Sequence, residues 1–300
     1  MNIFPKEKIN KMFARVDEAE MNAAGIANKH LNVRYGAESR QAMDIYLPDG
    51  APAPYPTVVF LHGGGWAAGS RADKQLAPFL HGVERGYAVV SVGYRLTPKV
   101  RYPENLFDVR RALRHLAANA ETYGVDSSRV AIAGASAGAH LALMAAFTAG
   151  VPAFDDEPAA QTCTLRAVVD QFGPTDFLAS DAQFAESDYP RDAPTPQGEL
   201  SGAERMFGAS FEASPNLVRF LNPIDNVHPR VPPVLLLHGR FDPVVPYQQS
   251  TALAERIRAV TGDASRAELE ISPTFLHADP GYAEPQSVAR IFAFLDKHLK

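Results

Sequence analysis

Cysteine is nearly absent: Cys163 is the one thiol in 300 residues. That excludes an internal disulfide and any metal site assembled from several cysteines. A lone thiol ahead of an apolar run is expected to be buried and inert. Positive charge is also short, with 29 Lys and Arg against 34 Asp and Glu, a formal net charge of −5. No basic field is left over for a phosphate backbone, so nucleic acid is not an expected partner. No run of like charge forms a tail or a basic membrane-binding helix. Long hydrophobic stretches are missing too, and none approaches the ~20 residues needed to cross a bilayer. The opening "MNIFPKEKINKMFARVDEAE" is charged throughout and lacks the apolar centre of a secretion leader. Together these absences predict a soluble, cytoplasmic chain that engages neither nucleic acid nor membrane. They leave open whether it forms a homo-oligomer.

Apolar content is ample, at 46%, and supports one large core. An α/β chain of this length is commonly a single domain, here 1–300. Short β-branched runs alternate with longer helical patterns. "TVVFLH" (57–62), "YAVVSVGYR" (87–95), "RVAIAG" (129–134), "AVVDQFG" (167–173), "VLLLHG" (234–239) and "ELEIS" (268–272) read as strands. Most are apolar on both faces, as in a sheet covered by helices on each side. "LNVRYG" and "QAMDIYLP" upstream predict an antiparallel lead-in hairpin.

In "PENLFDVRRALRHLAANAETYG", Leu106, Val109, Leu113 and Leu116 share one helical face, the basic residues point elsewhere, and Gly124 follows as a C-cap. "AGAHLALMAAFTAG" is almost wholly apolar and predicts a buried helix. "YQQSTALAERIRAV" and "PQSVARIFAFLDKHL" supply two more. The alternation predicts an α/β fold with a mainly parallel, doubly wound sheet, whose ligands bind beyond the C-terminal strand ends. Residues 174–233 break the rhythm with prolines, acids and aromatics and read as a small cap insertion. Residues 1–30 read as an N-terminal helical extension.

Chemistry enters with "GASAG", a Gly-x-Ser-x-Gly pattern between a predicted strand and a predicted helix. The bland reading is a small-residue hinge. The functional one makes Ser136 a nucleophile on a tight turn, with glycines on either side because a Cβ there would collide with the neighbouring strand and helix. A serine hydroxyl needs a base to take its proton. Of nine histidines, His277 alone follows the last predicted strand in a loop, "PTFLHADPGY", that can fold back over the serine. Asp242 in "HGRFDPVVP" lies in the loop after another strand and can orient that imidazole, although Asp before Pro is also a common turn residue. Asp225 and Asp279 are less suited, one in the cap and one only two residues beyond the histidine. "LHGGGW" brings backbone N–H groups close to a substrate, so Gly64 and Gly65, with Ala137, form the expected oxyanion hole. Trp66, Phe172 and Tyr282 serve either as substrate-pocket walls or as core packing.

"HGGGW", "VSVGYRLTP", "PENLFDVRRALRHL", "RVAIAGASAGAHLALMAA", "FGPTDF" and "HGRFDPVVP" occur in one order from about Leu31 onward. In this the chain resembles bacterial α/β-hydrolase carboxylesterases of the hormone-sensitive-lipase-like group, in particular small enzymes similar to bifunctional feruloyl/acetylxylan esterases. The resemblance implies an α/β-hydrolase fold and cofactor-free hydrolysis of short-chain carboxylic esters through an acyl-enzyme. The substrate would be a small ester, with acetyl or feruloyl esters of carbohydrates as candidates. It also implies the roles given above and makes His62 a structural support of the oxyanion loop. Two departures bear on substrate: "TFLHADPGY" replaces the family's usual Gly-x-Gly-His-Gly, and the acidic, proline-containing stretch from Asp188 to Pro196 has no counterpart in the family pattern. An arylformamidase-type amidase on the same scaffold is the alternative. A non-catalytic binding protein is the remote one, since such proteins usually lose a triad residue.

Overall fold

The computed structural model describes residues 23, 25–187 and 200–300. Most of the expected N-terminal extension and the segment from Asp188 to Pro196 therefore lie outside the described residues. Residues 29 and 30, assigned above to that extension, open a strand instead.

The described residues form an eight-stranded sheet. Its strands are β1 (Lys29–Arg34), β2 (Ala42–Tyr46), β3 (Tyr55–Leu61), β4 (Ala88–Val92), β5 (Val125–Ala135), β6 (Leu165–Gln171), β7 (Val234–Gly239) and β8 (Ala267–Ser272). They lie in the order β1-β2-β4-β3-β5-β6-β7-β8. The lead-in hairpin pairs β1 with β2, and β2 also runs antiparallel to β4. From β4 to β8 every pairing is parallel. Successive side chains of a strand serve opposite faces. Val59 and Leu61 thus join one core, with Ile132, while Val58 and Phe60 join the other, with Ala131 and Ala133.

Each face is covered by helices, as predicted. α1 (Ala77–Glu84) and α9 (Pro285–Leu299) bring Phe79, Ile291, Phe292 and Leu295 to one face. α2 (Glu104–Ala118), α4 (Ala137–Phe147) and α8 (Gln248–Thr261) bring Leu106, Leu141 and Leu253 to the other. Between α2 and α4 lies the single turn α3 (Ala120–Tyr123).

The long helix predicted from Pro103 to Gly124 is in fact two. Asn119 leaves helical geometry at φ −115°, and its side-chain amide donates to the His115 carbonyl at 2.8 Å, a local bond that competes with the helix ladder. Gly124, at φ 62°, caps the second piece, α3. The basic residues of α2 do not all face water either. Arg110 and Arg114 are buried because Phe154, Thr148, Asp155 and Asp156 receive their guanidinium groups.

Between β6 and β7 the chain carries α5 (Ser180–Ala185), α6 (Gly202–Phe207) and α7 (Pro215–Leu221). Ser201 and Glu204 form a capping box on α6. The segment is fastened where it leaves the sheet. Gln249 of α8 accepts from the amides of Thr175 and Asp176, both at 2.7 Å, and Asn222 accepts from Phe177 at 3.1 Å.

Candidate active site

β5 ends at Ala135 and α4 begins at Ala137, leaving Ser136 alone at the crest of the turn. Its backbone sits at φ 53°, ψ −119°, a region that costs an L-residue of order 1–3 kcal/mol unless its surroundings impose it. Here they do. A Cβ on Gly134 would lie 2.3 Å from the Gly138 carbonyl carbon, and one on Gly138 would lie 2.1 Å from the Leu61 oxygen of β3. Both glycines are needed for strand, turn and helix to approach this closely. The Ser136 amide donates to Gln171 of β6 at 2.8 Å, so three adjacent strands hold the turn.

The loop after β8 returns over this crest. His277 Nε2 lies 3.0 Å from Ser136 Oγ, and its Nδ1 lies 2.7 Å from Asp242 Oδ2. A carboxylate can only accept, so Nδ1 carries a proton and, in the neutral ring, Nε2 is free to accept from the serine hydroxyl. Asp242 is fully enclosed. Its Oδ1 accepts from the amides of Val244 and Val245 at 2.8 and 2.9 Å. Burial alone would raise its proton affinity. The two imidazoles beside it, His277 and then His238, outweigh burial and hold the carboxyl well below its ordinary range.

The glycine loop after β3 runs beside this turn: a Cβ on Gly63 would fall 3.0 Å from the Ala135 oxygen. Gly64 adopts φ 110°, and a Cβ on it would fall 2.4 Å from the Ala68 oxygen. Among the described residues, the amides of Gly64, Gly65 and Ala137 donate to no protein acceptor. His62, buried, secures the loop from below. Its Nδ1 donates to the Gly63 carbonyl at 2.7 Å, its ring stacks on Tyr94 at 4.4 Å, and Tyr94 donates to the His62 carbonyl at 2.7 Å. Burial depresses His62 to about 4, only partly offset by the Gly63 carbonyl, so it is neutral at physiological pH.

This arrangement is accompanied by similarity along the chain. The sequence profile of the BD-FAE family matches residues 43–257. The chain belongs to the BD-FAE family. Its fold is that of an α/β hydrolase, in agreement with the resemblance drawn from the motifs. Esterase LipC of Mycobacterium tuberculosis is 32% identical over 234 residues, covering 76% of this chain and 55% of LipC. The chain spans about half the length of the curated relatives it matches first. A truncated form of a carbohydrate esterase from gut microbiota superposes with a TM-score of 0.79 at 24% identity, over 93% of this chain and 99% of that one. A bifunctional GH43-CE protein of Bacteroides eggerthii gives a TM-score of 0.76 at 26% identity, over 91% of this chain and 35% of that one.

Three residues expected as either pocket walls or packing in this BD-FAE chain can now be placed. Phe172, at φ 47°, sets its ring against His277 at 4.7 Å, edge-to-face, and Tyr282 packs on Phe172 at 4.7 Å. Both are buried and form a brace for the imidazole. Trp66 stands edge-on to His140 at 5.3 Å and to Phe177 at 6.0 Å, linking the glycine loop to α4 and to the start of the segment between β6 and β7. His140 donates Nε2–H to the Leu221 carbonyl at 3.0 Å and, buried, is depressed to about 4. It does not approach Ser136 through its ring nitrogens. Asp225 bonds Asn222, and Asp279 caps its own turn through Gly281. The sequence reading missed His238, whose Nε2 lies 3.3 Å from Asp242 Oδ2. Its i,i+4 spacing to Asp242 is visible in "HGRFD", but that spacing implies contact only on a helix. Here a strand end and a turn produce it.

Proposed function

We propose that this chain is a serine carboxylesterase acting on short-chain carboxylic esters. The observation that carries the reading is the buried hydrogen-bonded chain from Ser136 through His277 to Asp242. His277 takes the proton from Ser136 as Oγ attacks the ester carbonyl. Gly64, Gly65 and Ala137 direct their amides at the oxyanion, and each such donor is worth roughly 2.7–4 kcal/mol in reactions of this class. His277 then returns the proton to the leaving alcohol, and water, activated by the same imidazole, releases the acid from the acyl-enzyme. Asp242 stays ionised throughout and stabilises the imidazolium.

The segment after β6 acts as a cap over the strand ends, with Trp66 packed against its first residues. Acetyl or feruloyl esters of carbohydrates fit the proposal, and the carbohydrate-esterase neighbours support it. We place the reaction in the cytoplasm, on small esters, with no cofactor. Among the described residues no helix is long and apolar enough to cross a membrane.

Rates on p-nitrophenyl acetate, butyrate and octanoate, with Ser136→Ala as control, test this. The proposal predicts fast turnover of the two short esters, slower turnover of the octanoate, and loss of all three in the variant. Activity that survives in Ser136→Ala, or a folded wild type inert on esters but active on N-formylkynurenine, would overturn it.

A further inference from the structure

His238 lies next to the end of β7, buried against the turn that carries Asp242. Its Nε2 is 3.0 Å from the Val245 carbonyl oxygen and 3.3 Å from Asp242 Oδ2. Both partners can only accept, so this nitrogen carries a proton. Its Nδ1 is 2.7 Å from Oγ of Ser250, a buried residue in the first turn of α8. With the proton fixed on Nε2, Nδ1 of the neutral ring accepts and the Ser250 hydroxyl donates. The acceptor-only partners of Nε2 thus fix the tautomer, and the Ser250 hydroxyl, which can donate or accept, adapts to it and holds the far side of the ring.

The consequence for Asp242 is geometric. Val244 and Val245 anchor Oδ1 through their amides. Without His238, Oδ2 would have His277 as its one side-chain partner among these contacts, and the carboxylate could turn about its Cβ–Cγ bond together with that ring. The other carboxyl near His238, Asp170 of β6, accepts from Gly173 instead. We propose that His238 is a positioning residue for the Asp242–His277 pair: its Nε2–H bonds the carbonyl of Val245, whose amide holds Oδ1, and lies 3.3 Å from Oδ2, while Ser250 holds the far side of the ring. The inference rests on the reading of Ser136, His277 and Asp242 as a working triad.

Steady-state kinetics on p-nitrophenyl acetate test it. Ser136→Ala is measured first and decides the triad reading by itself. His238→Phe keeps an aromatic ring and removes the donor, while His238→Gln places an amide N–H near the former Nε2. The expected result is a kcat about tenfold lower in His238→Phe, the scale of one hydrogen bond to a charged group, with KM unchanged. Most of the loss is recovered in His238→Gln. Ser250→Ala leaves the ring and its Nε2 partners and removes the hydroxyl that holds Nδ1. It should show a smaller kcat loss at unchanged KM, and it decides the matter if His238→Phe does not fold. With Ser136→Ala inactive, wild-type kcat in folded His238→Phe would overturn this proposal alone. So would equal losses in His238→Phe and His238→Gln, or wild-type kinetics of Ser250→Ala where His238→Phe cannot be made. Activity surviving in Ser136→Ala would overturn the triad reading and this proposal with it.

Discussion

Of the non-glycine residues at the site with positive φ, Ser136 and Ala278 hold it for different reasons. Ser136 is forced there by the close approach of Gly134 and Gly138 to their neighbours, whereas Ala278, directly after His277, sits at φ 52° with no glycine to ease it. The pattern implied by the resemblance has glycine after the histidine, where this chain has alanine. An L-residue in this region loses roughly 1–2 kcal/mol, and a glycine returns part of that gain through its freer unfolded chain. Ala278→Gly is therefore expected to stabilise the fold by about 0.5–1 kcal/mol. Gly138→Ala must instead force apart the end of β3 and the start of α4. A loss of about 4 kcal/mol or more, or failure to fold, is expected. Chemical denaturation of both variants checks the pair, and the idea fails if the two shift stability in the same direction.

At the scale of elements, the parallel strands carry buried titratable groups with opposite demands. Asp170, inside β6, is raised to about 7 by burial, which the Gly173 amide and nearby His238 only partly offset. His62 after β3 and His140 on α4 are depressed to about 4 by burial. The two histidines are neutral in the fold, so their stabilisation is complete above the unfolded value of about 6.5 and is lost as pH falls from there towards 4. Asp170 runs the other way. Its unfolded value is about 3.9, so the fold binds its proton more tightly, and its contribution is fully present below that pH and lost as pH rises through 7. Asp170→Asn removes a buried charge at high pH and little at low pH. Its thermal midpoint should exceed that of the wild type at pH 8, with the difference shrinking by pH 5. A difference that stays constant with pH would contradict this assignment.

The same scale shows what a sequence can carry. Runs such as "VLLLHG" are apolar on both faces, so their place in the interior of a parallel sheet is legible. The break at Asn119 is not, because it depends on one side chain reaching back a single turn. Nor is the burial of Arg110 and Arg114, whose partners Thr148, Phe154, Asp155 and Asp156 lie about forty residues away. The strand–turn–helix at "GASAG" and the position of "TFLHADPGY" after the last strand led to the hydrogen-bonded residues. Phe172 and Tyr282 remained ambiguous, since an aromatic residue near a strand end packs or lines a pocket according to a side-chain direction that only the fold sets.

Across the whole molecule, the eight-stranded sheet gathers groups distant in sequence onto one rim: the glycine loop after β3, the turn after β5, the Asp242 turn after β7 and the His277 loop after β8. Strand ends that sit side by side turn four separate loops into one site. The proposed reaction passes through an ester of Ser136. Rapid mixing with p-nitrophenyl acetate, followed by acid quench and peptide mass analysis, measures it directly. A burst of p-nitrophenolate close to one equivalent is expected where deacylation limits turnover, with an acetyl group on the peptide containing Ser136. An acetyl group carried by another residue, or a burst that persists in Ser136→Ala, would contradict it.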